Sequence, residues 1–355
     1  MRWRFIALPL CLALAFAGLR FGILAEYDRR SNGVVDARPP TVSAEVRALH
    51  SDAFVADLHA DSLLWRRDLG RRQQRGHVDL PRLQQGGVDL QVFSSVTRVP
   101  RGHNYLVTDD GSDLLPALFV ASWRSPATWF SPRARALAQA RELEQFSARL
   151  PLSLVLSRAD LQLPGTKALL ALEGMHALEG RPEALVELYN AGYRMMGLVH
   201  FFDNAVAGSA HGLQKGGLTS LGASLIGKME SLGITVDLAH ASSATIEEVL
   251  ALAEKPVVVS HTGVTGTCPG PRNLSDDQLR ALAANGAVIG IGFWRAALCD
   301  LSVQGIVAAI VHVIAVAGVD HVGLGSDFDG HVTTVLDVAQ LPRITEALLS
   351  AGLTE

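Results

Sequence analysis

Cysteine is scarce: the 355-residue chain has three, Cys11, Cys268 and Cys299. No two form a CxxC pair and only the last two lie in the expected folded body, so the spacing supports neither a thiolate zinc site nor a disulfide framework. A basic excess is also missing. The formal net charge is −4 and no long run of Lys and Arg occurs, which removes the electrostatic footprint of a nucleic-acid partner and leaves a small molecule as the default ligand. No internal repeat is evident. The chain is 48% hydrophobic and 19% charged, enough to bury one large α/β barrel or two smaller domains.

Arg2 and Arg4 precede an apolar run from Phe5 to Leu19, the pattern of an export signal. Ala15-Phe16-Ala17 resembles a cleavage site, yet apolar residues resume at Phe21 to Ala25. Residues 1–26 therefore read as a signal peptide or, if uncleaved, a membrane anchor. Residues 27–44, with Gly33 and the pair Pro39-Pro40, read as a linker. Residues 45–355 are the expected catalytic domain, exported to a bacterial cell envelope, either periplasmic or anchored in the inner membrane, which suits the Ala- and Arg-rich composition.

Along that domain, short apolar runs alternate with helical patterns: FVADLHA, VDLQVFSSV, KALLALEG, YRMMGLVHF, ITVDLAHA, PVVVSHTG, AVIGIGFW and HVGLGSDFDG. Continuous apolar strands separated by helices predict a parallel sheet covered on both faces, and eight of them predict a (β/α)8 TIM barrel. Thr219, Ser242 and Ser275 stand at helix starts, and Gly233 and Gly286 at helix ends. Residues 98–150 fit the alternation poorly and read as an excursion between the second and third strands that shapes the site's mouth, with Phe293-Trp294 also expected to line it.

Polar residues interrupt these runs at their ends. His59 and Asp61 close the first run, Glu173 the third, His200 the fourth, His240 the fifth, His261 the sixth and Asp327 the eighth. The C-terminal ends of parallel barrel strands converge on one face, so residues distant in sequence meet there. His59 and Asp61, two apart on a strand, project together. A buried lone carboxylate costs several kcal/mol unless it meets a cation, so a metal explains their presence. With Glu173 bridging, His59 and Asp61 serve one ion and His240 and His261 a second. Imidazole and carboxylate without sulfur suit two Zn2+ ions, with Mn2+, Co2+ or Fe2+ as alternatives. Asp57 is a weaker candidate, as a hydrogen-bond acceptor behind the ligands.

Two cations roughly 3.5–4 Å apart lower the pKa of a shared water and polarise a carbonyl, which points to an amide or ester hydrolase working through a metal-bridging hydroxide. Asp327 is then the expected proton shuttle and His200 the donor to the developing oxyanion. Taken singly, each histidine is more simply a hydrogen-bonded strand-end residue, and Asp327 or its neighbour Asp329 a turn residue. Such readings must all hold together to displace the metal site. The loop after His261 leads to Arg272 and Asn273. An arginine there can grip a substrate carboxylate or, equally, pair with Asp276 or Asp277.

DLHAD, ALEGMHAL, GLVHFFDN, VDLAHAS, VVSHTG, RNLSDDQL and GLGSDFDG, in that order, resemble the membrane (renal-type) dipeptidase family of metallopeptidases, in the amidohydrolase superfamily, over roughly residues 45 to 350. The resemblance implies a metal-dependent barrel that cuts dipeptides, including those with a C-terminal D-residue. It also implies a zinc pair held by His59, Asp61, Glu173, His240 and His261, a substrate held by His200 and Arg272, Asp327 as acid and base, and a possible homodimer; Asn273, next to Arg272 on its loop, is a further expected substrate-binding residue. The same metals acting on an N-acyl amino acid or a β-lactam are the alternative, as is an inactive homologue, since the chain stops at ALLSAGLTE where family members usually continue.

Overall fold

The computed structural model describes residues 22–38, 41–102 and 104–354; most of the expected export segment, and Pro39-Pro40, lie outside them. Among the described residues nine strands form one parallel sheet: β1 (Val55–Ala60), β2 (Val88–Val96), β3 (Leu152–Leu154), β4 (Thr166–Glu173), β5 (Tyr193–Gly197), β6 (Thr235–Asp237), β7 (Val258–Thr262), β8 (Val288–Ile291) and β9 (Val322–Leu324). β1 pairs with β2 and β9, β2 pairs with β4, and the remaining strands pair in sequence, so eight strands close a (β/α)8 barrel. The ninth, β3, was not expected. It pairs with Thr166–Ala168 of β4, below the stretch Leu170–Leu172 that pairs with β5.

Each of the eight expected runs holds one barrel strand, because buried parallel strands need apolar residues on both faces. Val92, Ala171, Met195 and Val258, from four different strands, meet in one small cluster, as in a barrel whose interior is packed. The larger core lies between strands and helices, for instance where Leu225, Ile226 and Met229 of the helix Ser220–Leu232 join Val236 and Leu238. The helix stops fall where local chemistry puts them. Thr219 accepts from the Gly222 amide, Ser275 and Gln278 cap each other reciprocally, and Gly233 and Gly286 take φ of 74° and 87° at the helix ends.

The linker expectation is corrected. Residues 22–31 are helical and 32–38 lie against the barrel. Asp28 and Asn32 are buried, the Asp28 carboxylate accepts from Arg75 Nε at 2.9 Å, and Val34 bridges to Thr334. Gln340 Nε2 also donates to the Asp36 and Arg38 carbonyls. A polar, Gly- and Pro-containing composition resembles a linker, but buried side-chain and backbone hydrogen bonds fix this stretch. At the other end, the helix Pro342–Ser350 packs on the helices Ala44–Asp52 and Val303–Ala317. Among the described residues no helix is long and apolar enough to cross a membrane.

The cysteine expectation is corrected as well. Cys268 and Cys299 form a disulfide with Cα atoms 5.3 Å apart, joining the loop after β7 to the end of the short helix Arg295–Leu298. Their separation of 31 residues gave no motif; the barrel brings them together. Closing a loop of that length stabilises by about 3–4 kcal/mol through the unfolded chain. Replacing both with serine is expected to lower unfolding free energy by roughly that amount in urea titration.

Candidate active site

Two of the histidines sit where strand pairing is irregular. The β1–β2 register shifts between Asp57 and Ala60, around His59, and the β7–β8 register shifts between Val259 and Thr262, around His261. Such shifts re-aim side chains at barrel rims. His240 and Asp327 lie just past β6 and β9 with φ of 64° and 60°, a left-handed backbone that non-glycine residues keep only when their surroundings impose it. Gly325 lets β9 approach β7 there: a Cβ on it would stand 2.0 Å from the Ser260 carbonyl oxygen.

Glu173, at the end of β4, is the centre. Its Oε1 lies 3.1 Å from His240 Nε2, 3.5 Å from His261 Nε2 and 3.7 Å from His59 Nε2, while Oε2 is 3.4 Å from His200 Nε2. Asp61 Oδ1 is 3.3 Å from His59 Nε2, and the Nε2 atoms of His240 and His261 are 3.0 Å apart. The donor atoms form overlapping triads: His59, Asp61 and Glu173; Glu173, His240 and His261; and His59, His261 and Asp327. Glu173 belongs to the first two, which are the two ligand sets expected from the sequence.

This cluster fits divalent cations. His59 Nε2, Asp61 Oδ1 and Glu173 Oε2 are buried without a hydrogen-bond partner, although buried polar atoms are normally satisfied. Burial, with repulsion from Asp329 and Asp61 respectively, pushes the Asp61 and Glu173 carboxyls well above the usual range, and burial lifts Asp327 to about 8. Cations relieve all three at once. Burial, followed by the Arg272 charge at His240 and the His59 charge at His261, holds those two imidazoles well below their usual value. They are thus kept neutral, the form that ligates.

Several supports had little signal in the sequence. Ser260 Oγ donates to Asp237 Oδ2 at 2.6 Å and lies 3.0 Å from His261 Nδ1, orienting that ring through its second nitrogen. Asp57 touches Gln91 Nε2 and the amide and hydroxyl of Ser326; it holds the turn that carries Asp327 and makes no hydrogen bond to the His59 ring. Asp329 is fully buried against Arg67 Nη2 at 2.6 Å, Ser62 Oγ at 2.6 Å and the His77 amide at 2.7 Å.

Arg272 is buried beside the cluster in the same cavity as His200, Glu173, Asp327, Tyr105 and Trp294. Its Nη2 donates to the His261 carbonyl at 2.7 Å and its Nε has no hydrogen-bond partner. Asp276 and Asp277 are engaged by His312 and Arg280. Asn273 stands apart from that cavity lining: its Nδ2 donates to the Cys268 and Ala296 carbonyls, bracing the loop that carries Arg272. Trp294 lines the cavity as expected, Phe293 packs in the core, and the excursion contributes Val99, Tyr105, Leu114, Leu115 and Leu118.

The chain is similar to known proteins in sequence and in fold. It is 32% identical over 301 residues to dipeptidase verJ of Clonostachys rogersoniana, covering 80% of this chain and 73% of that one. A crystal structure of a metallopeptidase from Rhodobacter sphaeroides, liganded with a phosphinate mimic of L-Ala-D-Ala, superposes with a TM-score of 0.70 at 25% identity, covering 85% of this chain and 94% of that chain. The probable dipeptidase PvdM from Pseudomonas aeruginosa shares the fold, with a TM-score of 0.73 at 19% identity over 87% of this chain and 92% of that one. The family model described as membrane dipeptidase (peptidase family M19) matches residues 43–355, and the chain belongs to that family of metallo-dipeptidases.

Proposed function

We propose that the protein is a dinuclear zinc dipeptidase that accepts a D-residue at the C-terminal position. The observation that carries the metal count is the Glu173 carboxylate, shared between the triad with His59 and Asp61 and the triad with His240 and His261. When bound, the cations supply an activated water and polarise the scissile carbonyl. The D-residue tolerance is supported by the dipeptide mimic bound to the Rhodobacter sphaeroides relative.

The residues of the chain do the rest. Arg272, buried with a free Nε, holds the substrate carboxylate and sets the register of the amide bond. His200, beside Glu173, donates a hydrogen bond to the carbonyl oxygen as it gains negative charge. Asp327 takes a proton from the attacking water and returns it to the nitrogen as the C–N bond breaks, leaving a free amine and a carboxylate. An envelope location is supported by the disulfide, which oxidising compartments maintain, and by Arg2 and Arg4 before the apolar run.

The test is a comparison of L-Ala-D-Ala with its C-terminal amide. Wild-type protein is expected to cut the free acid with kcat/KM at least ~100-fold higher, and Arg272→Met to remove most of that preference. Equal rates on acid and amide in the wild type would sink the carboxylate assignment and favour a different amide substrate.

A further inference from the structure

The cavity above Glu173 is lined by two unlike sets of residues. One is Arg272, Tyr105 and Trp294; the other is an apolar wall, packed as one cluster, of Leu64, Trp65, Val99, Leu115, Leu118 and Tyr27. Tyr27 comes from helix 22–31, which precedes the family-matched residues 43–355. We propose that Tyr27 is a specificity-determining residue: it completes a subsite for a bulky apolar side chain on the residue that supplies the scissile carbonyl. This rests on the dipeptidase reading above.

Placement follows from the barrel. Arg272 follows β7, whereas Leu64, Trp65 and Val99 follow β1 and β2, and β2 stands four strands from β7 around the ring of eight. A dipeptide whose carboxylate is at Arg272 and whose amide lies over Glu173 therefore extends its first residue toward the apolar wall. Tyr27 is fixed in that wall. Its hydroxyl is 3.2 Å from His331 Nε2, and its ring lies 5.9 Å from Trp65 and 5.7 Å from the His331 ring.

The helix itself is tied down behind the site. Asp28 accepts from Arg75 and lies 3.5 Å from Arg67 Nε, Arg67 pairs with Asp329, and Asn32 Oδ1 accepts from the His331 amide at 3.1 Å. The segment before the family core is thus joined to the loop that carries Asp327. The wall presents carbon surface and a hydroxyl already directed to His331, with no charged side chain among those six residues, so it selects an apolar group rather than a charged one.

The test is calorimetric binding of two phosphinate dipeptide mimics, differing only in a benzyl or a methyl group on the first residue, to the zinc-loaded full chain. Wild type is expected to prefer the benzyl mimic. Tyr27→Ala is expected to weaken the benzyl mimic roughly tenfold and the methyl mimic less than about twofold, while Tyr27→Phe keeps the preference. Retention of the methyl mimic reports an intact site in Tyr27→Ala. An unchanged preference in that variant, or equal losses on both mimics, overturns the inference alone. Wild-type protein that binds neither mimic overturns the inference together with the dipeptidase reading.

Discussion

Glu173→Gln is expected to lower kcat/KM on dipeptides by about a thousandfold or more, and to lower the bound metal measured by mass spectrometry. Glu173 Oε1 faces three imidazole nitrogens and Oε2 faces a fourth, so removing its charge affects both ligand triads at once. Loss of one supporting group behind a metal typically costs ~10–100-fold in affinity or activity, and the shared carboxylate should exceed this. Glutamine retains the shape and one oxygen, which separates the loss of charge from a packing defect. A variant holding wild-type metal and retaining a tenth of the activity would contradict the bridging role.

Arg67→Met is expected to destabilise the fold by about 3–5 kcal/mol, the cost of leaving a buried charge without its partner. Arg67 and Asp329 have no exposed side-chain surface and meet at 2.6 Å. Asp329 is also the residue on which the Ser62 hydroxyl, the His77 amide and, through its carbonyl, the Trp65 indole converge. The pair therefore joins the β1 exit to the β9 loop two residues from Asp327. Burial alone would raise the Asp329 carboxyl, but Arg67, His77 and Ser62 outweigh it and hold it below the usual range. The sign follows: this stabilisation is fully present above the unfolded value of about 3.9 and is lost as pH falls through the lower folded value. Urea titrations at neutral pH and near pH 3 should show the gap between wild type and Arg67→Met shrinking in acid. A gap below about 1 kcal/mol at neutral pH would place the pair among weak surface bridges.

The candidate site was legible because its residues violate a strong local rule. A buried parallel strand should be apolar throughout, so His59, Glu173 and His261 at run ends stand out, and barrel geometry alone brings them together. The helix caps were legible because their chemistry is local. What escaped depends on distant geometry. The disulfide pairs two cysteines 31 residues apart that no motif connects. Residues 22–38 have the composition of an export flank and linker, and their docking rests on partners as far away as His331 and Gln340. Asp57 has the strand parity of a residue behind the ligands, but the register shift after it turns its carboxylate to Ser326. Tyr105 and Trp65 reach the cavity from loops, whose paths periodicity does not encode.

Hydrolysis and metal content measured together on one preparation decide whether the protein is a dinuclear zinc dipeptidase. The zinc-loaded chain is presented with L-Ala-L-Ala and L-Ala-D-Ala, before and after a chelator, and zinc per chain is counted. The expected result is two zinc ions per chain, turnover of both dipeptides, loss of turnover on chelation and recovery on adding zinc back. Folded protein that holds two zinc ions and cuts neither dipeptide would contradict it.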